Sequence, residues 1–123
     1  LFRSIELQQG RVMVTVSQFE QAQFLVKTAT ARVTANSALF AVAVDGSRTT
    51  ALTVADGSGE MNAVLAVPSP VVVSKGQSST CVSGGYPTKP VLGAGVLIRE
   101  LEAFRVTAAN PFDRKNRDVV EGF

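Results

Sequence analysis

Histidine is absent from this 123-residue chain. Its absence removes the Ser–His and Cys–His pairs in which an imidazole takes the nucleophile's proton. It also removes the imidazole-bearing zinc sites. Few groups are left to do chemistry. Asp56-Gly57-Ser58-Gly59-Glu60 sets oxygen side chains at alternate positions, as calcium loops do. The rest of such a loop is missing, and the stretch reads as a plain turn. Glu100 and Glu102 are a carboxylate pair of the type used in acid–base work, but within a charged segment they read as its solvated side. Asp113, Arg114, Lys115, Arg117 and Asp118 form a cluster of nearly balanced sign, the mark of a solvated face. Gly84-Gly85 and Gly93-Ala94-Gly95 lack the spacing of a phosphate loop. Cys81 is the single cysteine, so no disulfide forms within the chain. Its setting, Ser78-Ser79-Thr80-Cys81-Val82, reads as strand and predicts a small buried residue with an unreactive thiol. The other use of a lone cysteine in an exported protein is an intermolecular bond. The expectation is a chain with no catalytic residue, no metal and no cofactor, which is not an enzyme.

The elements that would position these groups are organised around Phe24 to Val44. Only Lys27 and Arg32 carry charge there, and β-branched residues are dense. Phe24, Val26 and Thr28 alternate, then Ala31, Val33 and Ala35, then Phe40, Val42 and Val44. Period two places each set on one face of a strand. The phase slips near Ala29-Thr30 and at Asn36-Ser37 predict corners or bulges between two or three consecutive buried strands. Phe24, Val26, Val33, Phe40, Val42 and Val54 should form one core.

Around this stretch the signals continue in the same kind. Leu1 to Glu6 is a possible leading strand, and Val12, Val14 and Val16 alternate with Met13, Thr15 and Ser17. Asp45-Gly46 is a turn signal. A strand follows at Thr50 to Val54, a turn at Asp56-Gly57, and a further strand at Met61 to Val67, broken by Pro68 and Pro70. Val71 to Val73, a Lys75-Gly76 turn and Ser78 to Val82 complete the series before the loop Ser83 to Pro90.

A weak repeat of apolar-x-x-Gly runs through Leu7/Gly10, Val54/Gly57 and Val73/Gly76, with Val33/Asn36 as a degenerate copy. The last three copies lie about 20 residues apart, the length of one β-solenoid coil. A sandwich also gives short, evenly spaced strands. The fold class expected is therefore all-β, as a short solenoid-like β-roll or a β-sandwich. The division expected is a β domain over 1–96 and a charged C-terminal segment and arm over 97–123. Arg99 to Glu121 holds ten of the chain's 22 charged residues. Leu97, Leu101 and Phe104 fit a helical face, while Phe104, Val106 and Ala108 alternate like a strand, so this segment is open between the two. Asn110-Pro111 ends it.

Hydrophobic residues make up 46% of the chain and charged residues 18%, which suits one folded domain with a modest core. A net charge of +2 is too small for the concentrated basic face of a nucleic-acid binder. The longest apolar run, Ser37 to Val44, is far short of a membrane span. No signal peptide is visible, and Leu rather than Met at position 1 fits a trimmed, exported chain.

The ordered pieces Gly10 to Val12; Phe24, Val26, Thr28, Ala31 and Val33; Phe40 and Val42; Thr50, Val54 and Gly57; and Val73, Gly76 and Gln77 resemble the FecR-type extracytoplasmic domain. The likeness covers about residues 7 to 82, two-thirds of the chain. It departs at Ser37-Ala38, where the family usually has Gly-Thr. The resemblance implies an all-β, solenoid-like domain outside the cytoplasm: cell-surface, secreted or periplasmic. Well-known members regulate sigma factors, with a transmembrane helix and a cytoplasmic tail in addition to this domain. The expected function is thus a non-enzymatic extracytoplasmic interaction or structural module. The alternative is the periplasmic signalling part of a FecR-type sigma-factor regulator.

The partner expected is protein, foremost copies of the same chain. A short β-roll leaves open edges that recruit strands. Apolar Leu1 and Phe2 at one end, and Phe112, Val119, Val120 and Phe123 in the charged C-terminal arm, are the candidate assembly residues. Such an arm either folds back on its own domain or adds to a neighbour as a strand, and a non-closing head-to-tail contact would give an extracellular filament.

Overall fold

The structure is a computed structural model that describes residues 2–16, 23–65, 68–108 and 119–122. It is mostly strand with one helix. In chain order the elements are β1 (Phe2–Glu6), β2 (Gly10–Val16), β3 (Gln23–Lys27), β4 (Ala31–Ala35), β5 (Ala38–Val44), β6 (Thr50–Ala63), β7 (Val71–Ser74), β8 (Gln77–Cys81), β9 (Val91–Leu92), α1 (Gly95–Ala108) and β10 (Val119–Gly122). Of the two or three strands expected over Phe24 to Val44 the structure has three: β3, β4 and β5 are separated where the alternation slips.

The 14-residue strand β6 organises the rest. Its first half pairs with β5 on one side and β8 on the other. Its second half pairs with β4 and β7. Strand order runs β1-β3-β4-β6-β5-β2-β10, with β7, β8 and β9 branching from the far side of β6. The β4–β5 corner at Asn36-Ser37, the bend of β6 at Asp56-Gly57 and the β7–β8 turn at Lys75-Gly76 lie side by side. Gly76 donates its amide to the Val54 carbonyl at 2.8 Å, and Gly57 is in register with Ala38. Three of the four copies of the apolar-x-x-Gly repeat mark this line of corners. About it the sheet folds over on itself, so that its two halves face each other.

The sequence reading placed a turn at Asp56-Gly57 and a separate strand from Met61 to Val67. Instead β6 is continuous to Ala63. The Asp-Gly pair is a turn signal because glycine takes positive φ freely, and Gly57 does have φ 75°. Here that freedom serves a β-bulge: Leu39 is opposite Asp56 but Phe40 is opposite Val54, leaving Ala55 as the extra residue. The bulge changes which parity of residue faces inward. Leu52 and Val54 are buried in the core before it, Met61 and Ala63 after it. Without the slip, one half of β6 would turn its apolar side chains to water.

The core between the halves contains all six residues expected there, Phe24, Val26, Val33, Phe40, Val42 and Val54, together with Val12, Val14, Val16 and Val73. The segment left open between helix and strand is α1. Its Leu101 and Phe104 are buried against Met13, Leu39, Ala41 and Ala55 on the outer face of β2, β5 and β6, with Leu97 and Ile98 packed beside them. This second layer explains why β5 reads as a nearly unbroken apolar run: both of its faces are covered. Ala41 and Ala55 keep that face shallow enough for the helix to approach. Two ion pairs tie α1 down, Arg11–Glu100 to β2 and Arg105–Asp56 to β6, each at 2.9 Å. No helix among the described residues is long and apolar enough to cross a membrane.

Candidate functional site

Opposite the corners, the ends of the strands open into loops. Leu7 to Gln9 joins β1 to β2, Thr28 to Thr30 joins β3 to β4, and Asp45 to Thr49 joins β5 to β6. A hydroxyl cluster, with Thr30 and Thr50 buried and Thr28 half-buried, stitches this end shut. The Thr50 hydroxyl lies 2.7 Å from both the Thr28 and the Thr30 hydroxyls. Thr28 Oγ1 also accepts the Ala31 amide at 2.9 Å, and Thr30 Oγ1 donates to the Arg48 carbonyl at 3.0 Å. Buried hydroxyls that all find partners rigidify the place where they sit.

On this frame lies an open cleft of about 750 Å³. Its cations come from Lys27, Arg32 and Arg48, its carboxylates from Glu6 and Asp45, and its apolar lining includes Leu7, Ala29 and Val64. The register puts Glu6, Lys27, Arg32 and Asn62 in one rung across β1, β3, β4 and β6. Lys27 therefore faces Arg32 directly, an unfavourable like-charge pair. Arg48 has φ 65°, a left-handed backbone that costs a non-glycine residue roughly 1–2 kcal/mol. Asp45 is engaged in its own turn. Its Oδ1 accepts the Ser47 amide at 2.9 Å, the Ser47 hydroxyl at 2.7 Å and the Thr49 amide at 3.0 Å. The Ser47 hydroxyl bond is the main cause that holds the Asp45 carboxyl below its usual range.

The sequence reading did not single out Lys27, Arg32 and Arg48 as site residues. The alternation of Phe24, Val26 and Thr28 already implied that Lys27 points away from the core. The register that sets it against Arg32 depends on the tight β3–β4 turn.

Of the candidate assembly residues, Leu1, Phe112 and Phe123 lie outside the described residues. Phe2 begins β1, in parallel register with Gln23 of β3. Val119 and Val120 begin β10, in parallel register with Met13 and Val14 of β2 of the same chain. The two terminal strands thus stand at opposite ends of the strand order.

Asp56 and Glu60 sit within β6, and Asp56 pairs with Arg105. The Arg105 hydrogen bond holds the Asp56 carboxyl below its usual range. A carboxylate depressed in the folded state stabilises the fold above its unfolded pKa, and that stabilisation is lost as pH falls through the folded one. Both side chains are about half exposed, so the effect is modest. Asp56→Asn should cost about 0.2–1 kcal/mol at neutral pH. The gap between the two proteins should close as acid unfolding profiles reach the depressed carboxylate range. A gap that persists to the lowest pH would contradict the pairing.

Cys81, on β8, is fully buried. Its thiol lies 3.6 Å from the Thr30 carbonyl oxygen and 3.5 Å from that of Gly85, and burial pushes its pKa up. A thiol reagent should label the native protein slowly and the denatured protein at once. Rapid native labelling, or a dimer band lost on reduction, would overturn this placement.

No protein-family model matches the sequence, and no curated protein matches it. The fold is shared with two crystal structures, each of a "putative anti-sigma factor" from Parabacteroides distasonis ATCC 8503. The first is 17% identical with a TM-score of 0.61, over 86% of this chain and 47% of that one. The second is 19% identical with a TM-score of 0.58, over 74% of this chain and 41% of that one. The chain spans less than half the length of either structure.

Proposed function

We propose that this chain is the extracytoplasmic protein-interaction domain of a FecR-type signalling regulator, acting by binding and not by catalysis. The observation that supports this most is a coincidence of two likenesses. The FecR-type pieces of sequence occur in order along the chain. The fold they form is shared, over 86% of the chain, with a structure described as a "putative anti-sigma factor". The pieces also map onto the folding signals of the domain: Phe24, Val26, Ala31, Val33, Phe40, Val42 and Val54 are core, and Gly57 and Gly76 are corners. The lack of histidine and the burial of Cys81 favour a binding role over nucleophilic catalysis. In the source organism, alkaline phosphatase fused in frame after Ala108 should be active, because that enzyme matures only outside the cytoplasm. An inactive fusion made at normal levels would refute the extracytoplasmic part of the reading.

Self-association is a second form the interaction could take. The pairing of β10 with β2 of the same chain matches the other alternative, an arm folded back on its own domain, although β1 and β10 each keep one side unpaired among the described residues. Truncation after Asn110 discriminates. If truncated and full-length proteins are both monomeric at high concentration, and electron microscopy finds no polymers, self-association is wrong.

A further inference from the structure

We propose that the cleft formed by Lys27, Arg32 and Arg48 binds an acidic peptide segment of a partner protein. The inference deepens the interaction reading above and rests on it.

A rung that sets Lys27 against Arg32 works against folding. Of the other described basic residues two are paired, while Lys75, Lys89 and Arg99 are not. Arg11 and Arg105 each meet a carboxylate at 2.9 Å. None of Lys27, Arg32 and Arg48 makes an ion pair among the described residues. Two carboxylates share the cleft: Glu6 is in register with Lys27 but makes no ion pair with it, and Asp45, whose Oδ1 accepts from Ser47 and Thr49, keeps its charge without meeting a cation. Arg48 is held in a left-handed conformation by the Thr30 hydroxyl on its carbonyl. Three cations without a salt-bridge partner thus outnumber the two carboxylates in a cleft whose floor is tied by hydroxyls, and an external anion would complete the arrangement.

The shape of the cleft selects the class of anion. A volume of about 750 Å³ is far more than one inorganic anion fills. Leu7, Ala29 and Val64 give it an apolar share, and Val64 is 46% exposed. Carboxylates match the planar guanidinium fork in bidentate fashion. Three cations in a pocket do not form the long basic track that a nucleic-acid backbone needs. A short peptide that alternates carboxylates with apolar side chains meets both parts of the lining.

Fluorescence anisotropy with a labelled ten-residue Glu/Leu peptide, and with its Gln/Leu counterpart, tests the proposal on the full chain. The acidic peptide should bind saturably and the Gln peptide should not. Raising salt from 50 to 200 mM should weaken binding severalfold. The double variant Arg32→Gln/Arg48→Gln should lose at least tenfold in affinity, while Lys89→Gln, outside the cleft, should bind as wild type does. Lys27→Gln gives an independent arm if the double variant fails to fold: it should weaken the peptide at little change in melting temperature, because it removes both the like-charge contact with Arg32 and the opposite-charge contact with Glu6. The proposal is overturned by no saturable binding of the acidic peptide, by equal binding of the Gln peptide, or by affinity unchanged in both the double variant and Lys27→Gln. Retention on phosphatidylserine vesicles without peptide binding would overturn it too, by assigning the cleft to a lipid surface. A partner protein that still binds Arg32→Gln/Arg48→Gln fully would refute the cleft and leave the interaction reading standing.

Discussion

Phe40→Ala should destabilise the protein by about 3–5 kcal/mol, the range for removing a fully buried aromatic side chain. Phe40 is wholly buried in the middle of β5, with Val14 of β2 in register on one side and Val54 of β6 on the other. It belongs to the core cluster that also holds Phe24, Val26, Val33 and Met61 from the other half of the folded sheet. Leaving a cavity there removes contacts from both halves at once, and surrounding strands held in ladders can relax only in part. Since domains of this size hold roughly 5–15 kcal/mol in total, the variant would stand near the edge of folding. Chemical denaturation reads the loss directly. A midpoint equal to that of the wild type would mean that β5 does not lie in the centre of the fold.

Gly57→Ala should cost about 2–4 kcal/mol, combining the left-handed backbone with an overpacked contact. Gly57 has φ 75°, and a Cβ there would run into the carbonyl oxygen of Ser37 and crowd the Cα of Ala38. Both obstacles are backbone at the β4–β5 corner, so relief requires moving a strand. Gly76→Ala supplies the comparison. It has φ 81° but open space where the Cβ would stand, so only the conformational cost applies, about 1–2 kcal/mol. Equal destabilisation of the two variants would show that the corners are not packed against each other.

Much of this frame was legible because two-residue periodicity reports directly on which side chains face a core. The slips at Ala29-Thr30 and Asn36-Ser37 fall at real strand ends, and three of the four copies of the apolar-x-x-Gly repeat fall at the line of corners. Asp56-Gly57 was misread for a physical reason: positive φ at glycine serves a turn and a bulge equally. Only the pairing of β5 along the whole first half of β6 distinguishes them. The C-terminal segment was ambiguous because Phe104 satisfies both periods. Covering of the Leu39, Ala41 and Ala55 face by α1 decides for helix.

The cleft was the least legible part. Lys27 and Arg32 are ordinary outward positions when each strand is read alone, and their opposition arises only once β3 and β4 are paired. Arg48 follows the Asp45-Gly46 signal, where glycine is the residue expected to take the left-handed backbone. Here Arg48 takes it, with its carbonyl held by a hydroxyl from a different loop. Contacts between segments 18 residues apart leave no mark in a local pattern.

The regulatory reading is tested most directly by transcription in the source organism. With residues 2–122 excised in frame from their gene, genes controlled by one sigma factor should change together, and restoring the domain should return them to their starting levels. A transcriptome unchanged by the excision, in cells that still make the shortened protein, would contradict it.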